Sequence, residues 1–219
     1  MKTYRIVQTD QPVPADGRAL GPWARAEAAA ICEFPWYRGG LRQGTTVRML
    51  YDQSALHMLF TAADRHISAG VTELNGPVCT DSCVELFAAV EPKVGPEYFN
   101  LELNCCGVLH MGWGSQRDSR RLICEDLAGR IEVSGSEQGP MPREPRDDDE
   151  GWHLVVKLPW DVLDAFVGRE IRPRPATVWR GNFYRCGGQV EPQFACWNPI
   201  DTDGPDYHRP ECFAELHFA

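Results

Sequence analysis

No stretch of the sequence approaches the ~18 consecutive apolar residues that a membrane-spanning helix needs, so no such span is expected. Basic residues are the minority charge: 22 Lys and Arg stand against 31 Asp and Glu, a formal net charge of −9. No basic run is interleaved with aromatics, which argues against nucleic acid or an anionic membrane as partner. There is no CxxC pair; the nearest approaches to a metal pattern are Cys79-x3-Cys83, Cys105-Cys106 and His208-x3-Cys212, and none has the spacing of a structural zinc site. Nucleophile motifs, phosphate-cradling glycine loops and dinucleotide fingerprints are also missing, and there is no internal repeat. Neither metal nor cofactor is therefore expected. The segment Met1–Gln8 carries no apolar stretch behind its charges, so no signal peptide is visible and a cytoplasmic location is expected. In that compartment the nine cysteines would be free thiols; a leader removed beforehand would reverse this expectation.

What is present is an ordinary globular composition, 43% hydrophobic and 24% charged over 219 residues, enough for one large domain with a substantial core. Strand-like segments run from Thr45 to Asp52, Ala55 to Ala62, Cys83 to Val90, Glu97 to Asn104, Gly151 to Leu158, Thr177 to Arg185 and Glu211 to Phe218. The first forty residues, punctuated by Pro12, Pro14, Gly17, Gly21 and Pro22, read as irregular, with a short helix possible between Trp23 and Cys32. Ser134 to Glu150 reads as a long surface loop, and Pro159 to Phe166 as a short helix opened near its proline. Many short strands with proline-rich connections predict an all-β fold, an antiparallel β-sandwich of immunoglobulin or jelly-roll type with one or two short helices. The whole chain, 1–219, is expected to form one such domain.

Three of these strands carry a polar ladder. Side chains alternate across a strand. In Cys83–Ala88, Val84, Leu86 and Ala88 take one face while Glu85 shares the other with Cys83 and Phe87. In Tyr98–Asn104, Phe99, Leu101 and Leu103 oppose Tyr98, Asn100, Glu102 and Asn104; in Val178–Tyr184, Arg180, Asn182 and Tyr184 alternate with Trp179 and Phe183. Such a face fits a hydroxyl-rich ligand, and it equally fits an ordinary solvated sheet surface. If the middle two strands form a hairpin, Glu85 lies near Glu102, and two like charges facing each other need an offset: a raised pKa, a cation or a ligand. Arg180 is the candidate cation.

Sugar rings also pack on indole faces. Trp197, in Phe194-Ala195-Cys196-Trp197-Asn198-Pro199, and Trp113, between glycines, lie at irregular positions where a ring could stay exposed; Trp152, Trp160 and Trp179 lie in strand or helix patterns and read as core. The acidic run Asp147 to Glu150 lacks the spacing of a calcium loop and reads as solvated.

Taken in order, Thr46–Asp52, Leu56–Phe60, Asp81–Phe87, Tyr98–Asn104 with Gly107, Trp179–Arg185, Phe194–Pro199 and His208–Phe213 resemble the carbohydrate-binding module family 9-like domains. The resemblance spans most of the chain after about residue 20 and implies a DOMON-like β-sandwich that binds sugars, the chain end lying between two tryptophans. It implies a sugar-bonding role for Glu85, a stacking role for Trp197, and polar contacts from Asn198 and Arg180. The second tryptophan of that clamp corresponds to Cys79 here, so half the clamp is missing unless another ring replaces it. The expected function is non-catalytic recognition of a sugar or oligosaccharide end, with Glu85, Asn104, Arg180, Asn182 and Asn198 as hydrogen-bonding groups and Trp197 as the stacking ring. Two alternatives are a glycoside hydrolase using Glu85 and Glu102, and a haem or redox module of similar fold, for which His110-Met111 is the only suggestive pair. The expected partner is a saccharide or polysaccharide. Oligomeric state is open.

Overall fold

The computed structural model describes residues 1–140 and 149–219. The described residues form thirteen strands: β1 Thr3–Gln8, β2 Ala29–Ile31, β3 Thr45–Tyr51, β4 Ala55–Ala63, β5 Ser82–Ala89, β6 Tyr98–Asn104, β7 Leu109–Gly114, β8 Arg121–Leu122, β9 Glu132–Gly135, β10 Gly151–Pro159, β11 Val178–Gly187, β12 Phe194–Cys196 and β13 Ala214–Phe218. Two short α-helices, α1 Glu125–Ala128 and α2 Trp160–Val167, complete the set with three 3₁₀ turns. Helix α2 ends on Gly168, whose φ of +85° lets its N–H turn back to the Asp164 carbonyl, a left-handed cap that a β-carbon would disfavour.

Hydrogen bonding runs in the order β8-β7-β6-β5-β11-β13-β1-β3-β4-β10-β9, with β12 added to β11 and β2 to β3. The path folds into two layers at β1. Its first part, Thr3–Ile6, pairs with β13, and Val7–Gln8 pair with β3, both in parallel. Every other strand pair is antiparallel. The inner faces meet in one core, where Leu86, Leu101 and Phe183 of one layer join Met49, Met58 and Val156 of the other. This is the aligned packing of a sandwich.

The seven expected strands are all present, with ends moved by a few residues. The start of the chain differs from expectation. It contributes β1 and β2, and the region read as a helix is a 3₁₀ turn at Gly21–Arg25 followed by β2. Pro22 opens that turn, and Trp23 is buried with its indole N–H on the Pro14 carbonyl, so a single side chain rather than helical periodicity anchors it. Strand β9 lies partly inside the segment read as a loop, paired to β10. Of the acidic run, Asp147 and Asp148 lie outside the described residues; Asp149 accepts the Ile67 amide at 2.9 Å.

Between the layers, Arg185 of β11 reaches across to Asp64, 2.8 Å away, both essentially without solvent exposure. Its guanidinium also donates to the Ala63 carbonyl and Thr45 hydroxyl, while Asp64 accepts from Ser82 and from the Trp152 indole. A buried ion pair must satisfy its remaining donors and lone pairs in this way to offset desolvation.

Candidate carbohydrate site

The outer face of the β6-β5-β11 layer is where the polar ladder lies, and it is not solvated. Residues following β12 and the segment before β5 fold over it, so Val71, Val78, Cys83, Phe87, Tyr98, Tyr184, Cys186, Ile200, Tyr207 and Phe213 form a second apolar cluster there. Polar groups on this face are therefore buried, and each needs a partner. Asn100, Glu102, Asn104, Glu85 and Asn182 are all below a tenth exposed.

A cavity of about 110 Å³ opens within this cover, lined by Glu85, Glu102 and Phe87 on the sheet floor, Cys186 and Phe194 at one side, and Tyr207 and His208 with Asp206 and Arg117 near the mouth. The register places Glu85 directly opposite Glu102 on one side and Tyr184 on the other. The expected meeting of the two glutamates is thus present, and its offset is visible. Burial, followed by the charge of Glu102, raises the Glu85 carboxyl well above the usual carboxylate range, and burial raises Glu102 as well. Glu85 accepts the Cys186 thiol at 3.3 Å and Glu102 accepts the Asn100 amide at 2.8 Å. The Cys186 thiol is itself held protonated by burial and the adjacent carboxylate.

The wall opposite is aromatic. The Phe87 ring lies 4.9 Å from His208 and 5.0 Å from Tyr184, and Tyr184 stacks on Tyr207 at 4.1 Å. His208 Nδ1 and the Tyr98 hydroxyl are 2.8 Å apart. Burial, and then the nearby arginines, lower the His208 pKa to about 4, so the ring is neutral and its Nε2 is the nitrogen left for a ligand. Arg120 lies over the Tyr98 ring at 4.2 Å and bonds Asn100 Oδ1 at 2.7 Å, which fixes the amide that holds Glu102.

Of the residues expected to contact sugar, Glu85 alone lines this cavity, joined there by Glu102 of the hydrolase alternative. Trp197 is 5% exposed and packs in the main core against Phe183 at 5.3 Å and Tyr4 at 6.2 Å. The reason is parity. The alternation of β12 continues one residue beyond its end, with the Trp197 amide on the Phe183 carbonyl, so Ala195 and Trp197 point inward while Phe194 and Cys196 point to the site face. Trp113 obeys the same rule: it pairs with Phe99 and points to the core side, so it cannot stand in for the ring missing at Cys79. Cys79 itself sits exposed at the cavity.

Asn104, Asn182 and Asn198 are committed to the backbone. Asn104 donates to Val71 and Asp81 and accepts the amides of Cys106 and Val108, closing a turn that Gly107 completes at φ +82°. Asn182 holds the Asn198 backbone at both its N–H and its carbonyl, and Asn198 ties Lys2 to Cys212. Arg180 shares the site face but donates to the Phe213 carbonyl, and four strand residues, roughly 13 Å, separate it from Tyr184 beside Glu85. The cations near the carboxylates are instead Arg117, Arg120 and His110. His110 and Met111, adjacent on β7, point to opposite faces, Met111 into the core, so they cannot ligate one metal from one side.

Sequence reasoning missed Phe194, Tyr207 and His208. Phe194 was available from parity within its own motif; the other two reach the cavity through the fold of the covering loop, for which no local signal exists. A larger groove of about 860 Å³, bordered by Arg5, Asp10, Arg25, Gln53 and Ser54, lies elsewhere. Those side chains are solvent-exposed, and of the groove's polar lining only Thr9 is buried, so it offers little of the desolvated polar surface that gives a site its selectivity.

Comparison with known proteins agrees with this fold. The family model for carbohydrate-binding family 9 matches residues 20–218. A Bacteroides uniformis protein proposed to bind carbohydrate shares the fold at a TM-score of 0.86 with 24% identity, over 100% of this chain and 99% of that one. A family 9 carbohydrate-binding module from Caldicellulosiruptor kristjanssonii in complex with glucose aligns at a TM-score of 0.66 and 13% identity, over 100% and 96% of the two chains. Its complex with cellotriose aligns at 0.63 and 13%, over 99% and 93%. No curated protein matches the chain. The match of the family model over nearly the whole sequence assigns it: the chain belongs to carbohydrate-binding family 9.

Proposed function

We propose that this protein binds one terminal residue of a saccharide in the Glu85–Glu102 cavity without cleaving it. The observation that carries this reading is the pairing of two buried carboxyls, directly opposed across β5 and β6, with an aromatic wall in one small cavity. A carboxyl that burial keeps protonated offers both a donor and an acceptor, which matches hydroxyls that need both. Phe87, Phe194 and Tyr207 supply apolar surface for the C–H edges of a ring. The volume, about 110 Å³, is well below that of a site for an extended ligand and suits the edge of a single ring. The solved family members in complex with glucose and cellotriose support the same class of ligand.

Hydrolysis fits less well. Glycosidase carboxyls flank a scissile bond, whereas these two stand side by side on the floor of one cavity of about 110 Å³, too small to hold sugar units on both sides of such a bond. Trp197 has no part in the proposal, because its ring is enclosed by the core.

A glycan array followed by calorimetry on the best hit tests the reading. Glu85→Gln and His208→Ala are expected to weaken binding while circular dichroism stays unchanged. Release of free sugar from an oligosaccharide, or unchanged affinity in both variants, would overturn it.

A further inference from the structure

The two glutamates present an unbalanced site. Each has one oxygen engaged, Glu85 Oε1 by the Cys186 thiol and Glu102 Oε1 by the Asn100 amide. Among the described residues, neither Oε2 has a hydrogen bond and neither carboxyl has an ion pair, although Glu85 is 1% and Glu102 8% exposed. Elsewhere the same chain matches a buried acid to a buried cation, Asp64 to Arg185.

The neighbouring basic side chains all have other commitments. Arg117 is more than half exposed and pairs with Asp206 at 3.3 Å. Arg120 is spent on Asn100 and on the carbonyls of Tyr98, Gly112, Gly114 and Gln116. His110 donates Nδ1–H to the Asn75 carbonyl, and His208 is held by Tyr98. The cavity floor therefore presents two carboxyl oxygens without a protein partner and no matching cation.

We infer that the ligand is an amino sugar, whose ammonium group enters between Glu85 and Glu102 and donates to their free oxygens. The inference rests on the carbohydrate reading above and narrows it. An ammonium carries three donors and no acceptor; facing it, the carboxyls release to solvent the protons that burial makes them hold, and then act as acceptors alone. Hydrogen bonds between ionised groups are also about twice as strong as those between neutral ones. A neutral hydroxyl would leave the pair holding its protons with no charge to match, and an N-acetyl group would add bulk to a cavity of only about 110 Å³.

Calorimetry decides this with glucosamine, galactosamine and mannosamine, each beside its parent hexose and its N-acetyl derivative. The pH is held near 6, below the titration of such amines. At least one hexosamine is expected to bind at least about tenfold tighter than its parent, and Glu102→Gln to collapse that ratio toward one. If Glu102→Gln fails to fold, Glu85→Gln carries the same expectation. Parent hexoses binding as well as or better than every hexosamine would overturn the inference and leave carbohydrate recognition standing. Binding of no sugar at all, or of ethanolamine as tightly as the best hexosamine, would overturn both.

Discussion

Two buried charge clusters lie on opposite faces of β11, and they have been resolved in opposite ways. On the inner face Asp64 and Arg185 neutralise each other, and Ser82, Trp152, Thr45 and Ala63 add hydrogen bonds to the pair. On the outer face Glu85 and Glu102 repel each other and border a cavity. A closed cluster has nothing left to offer a ligand, and its role is to hold the layers together. The open one carries an electrostatic deficit that a ligand can remove. A perturbed carboxyl in a cleft is a functional candidate because the fold alone does not explain it.

The contrast can be broken by substitution. Asp64→Asn leaves a buried guanidinium uncompensated and is expected to lower unfolding free energy by about 3–5 kcal/mol in urea titrations. A loss below ~1 kcal/mol would mean the inner cluster is not a structural tie. Glu102→Gln is expected to act the other way round. Saccharide affinity should fall about ten- to a hundredfold, or ~1.4–2.8 kcal/mol, while the unliganded protein at neutral pH is no less stable than the parent. Destabilisation by this variant would make the outer pair structural too.

A smaller effect separates the two by pH. The raised folded pKa values of Glu85 and Glu102 mean that the folded state keeps protons that the unfolded chain releases above the ordinary value of 4.5. Their stabilising contribution is full below that value and is lost as pH rises toward the raised values, at a limit of about 1.4 kcal/mol per pH unit per proton. His208 contributes with the opposite sign. Neutral in the fold with a pKa of about 4, it adds stability that is present above 6.5 and lost as pH falls toward 4. Thermal melts of the unliganded protein should therefore lose this contribution from pH 4.5 upward for as long as the pair holds its protons, with His208 opposing the loss below 6.5. Glu85→Gln should flatten that decline and expose the His208 slope below it. Arg117→Ala should matter least: an exposed guanidinium bridged to Asp206 is worth no more than ~0.5 kcal/mol of stability by chemical denaturation.

Much of the layer architecture was legible in the sequence, because strands that face a core on one side alternate with period two. That rule located β3, β4, β5, β6, β10 and β11 and put Glu85 across from Glu102. The same rule, applied one residue past the end of β12, would have sent Trp197 inward and Phe194 outward. Reading that segment as a loop hid this. The polar face of β6 and β11 was legible as polar but not as buried. Its cover comes from residues far along the chain, such as Tyr207, His208 and Phe213, whose placement no local pattern encodes. The asparagines were mistaken for ligand contacts for the same reason: once covered, they were needed to satisfy backbone groups.

The strand shared by the two layers has a further consequence for how the molecule is made. β1 is made before the strands it pairs with, yet four of its six residues pair with β13, more than two hundred residues later in the chain. Until then an emerging chain holds β1 with an unpaired edge, a template for misplaced strands. Closure of the sandwich thus waits for Ala214–Phe218 to emerge, which makes these few residues the latch of the whole assembly.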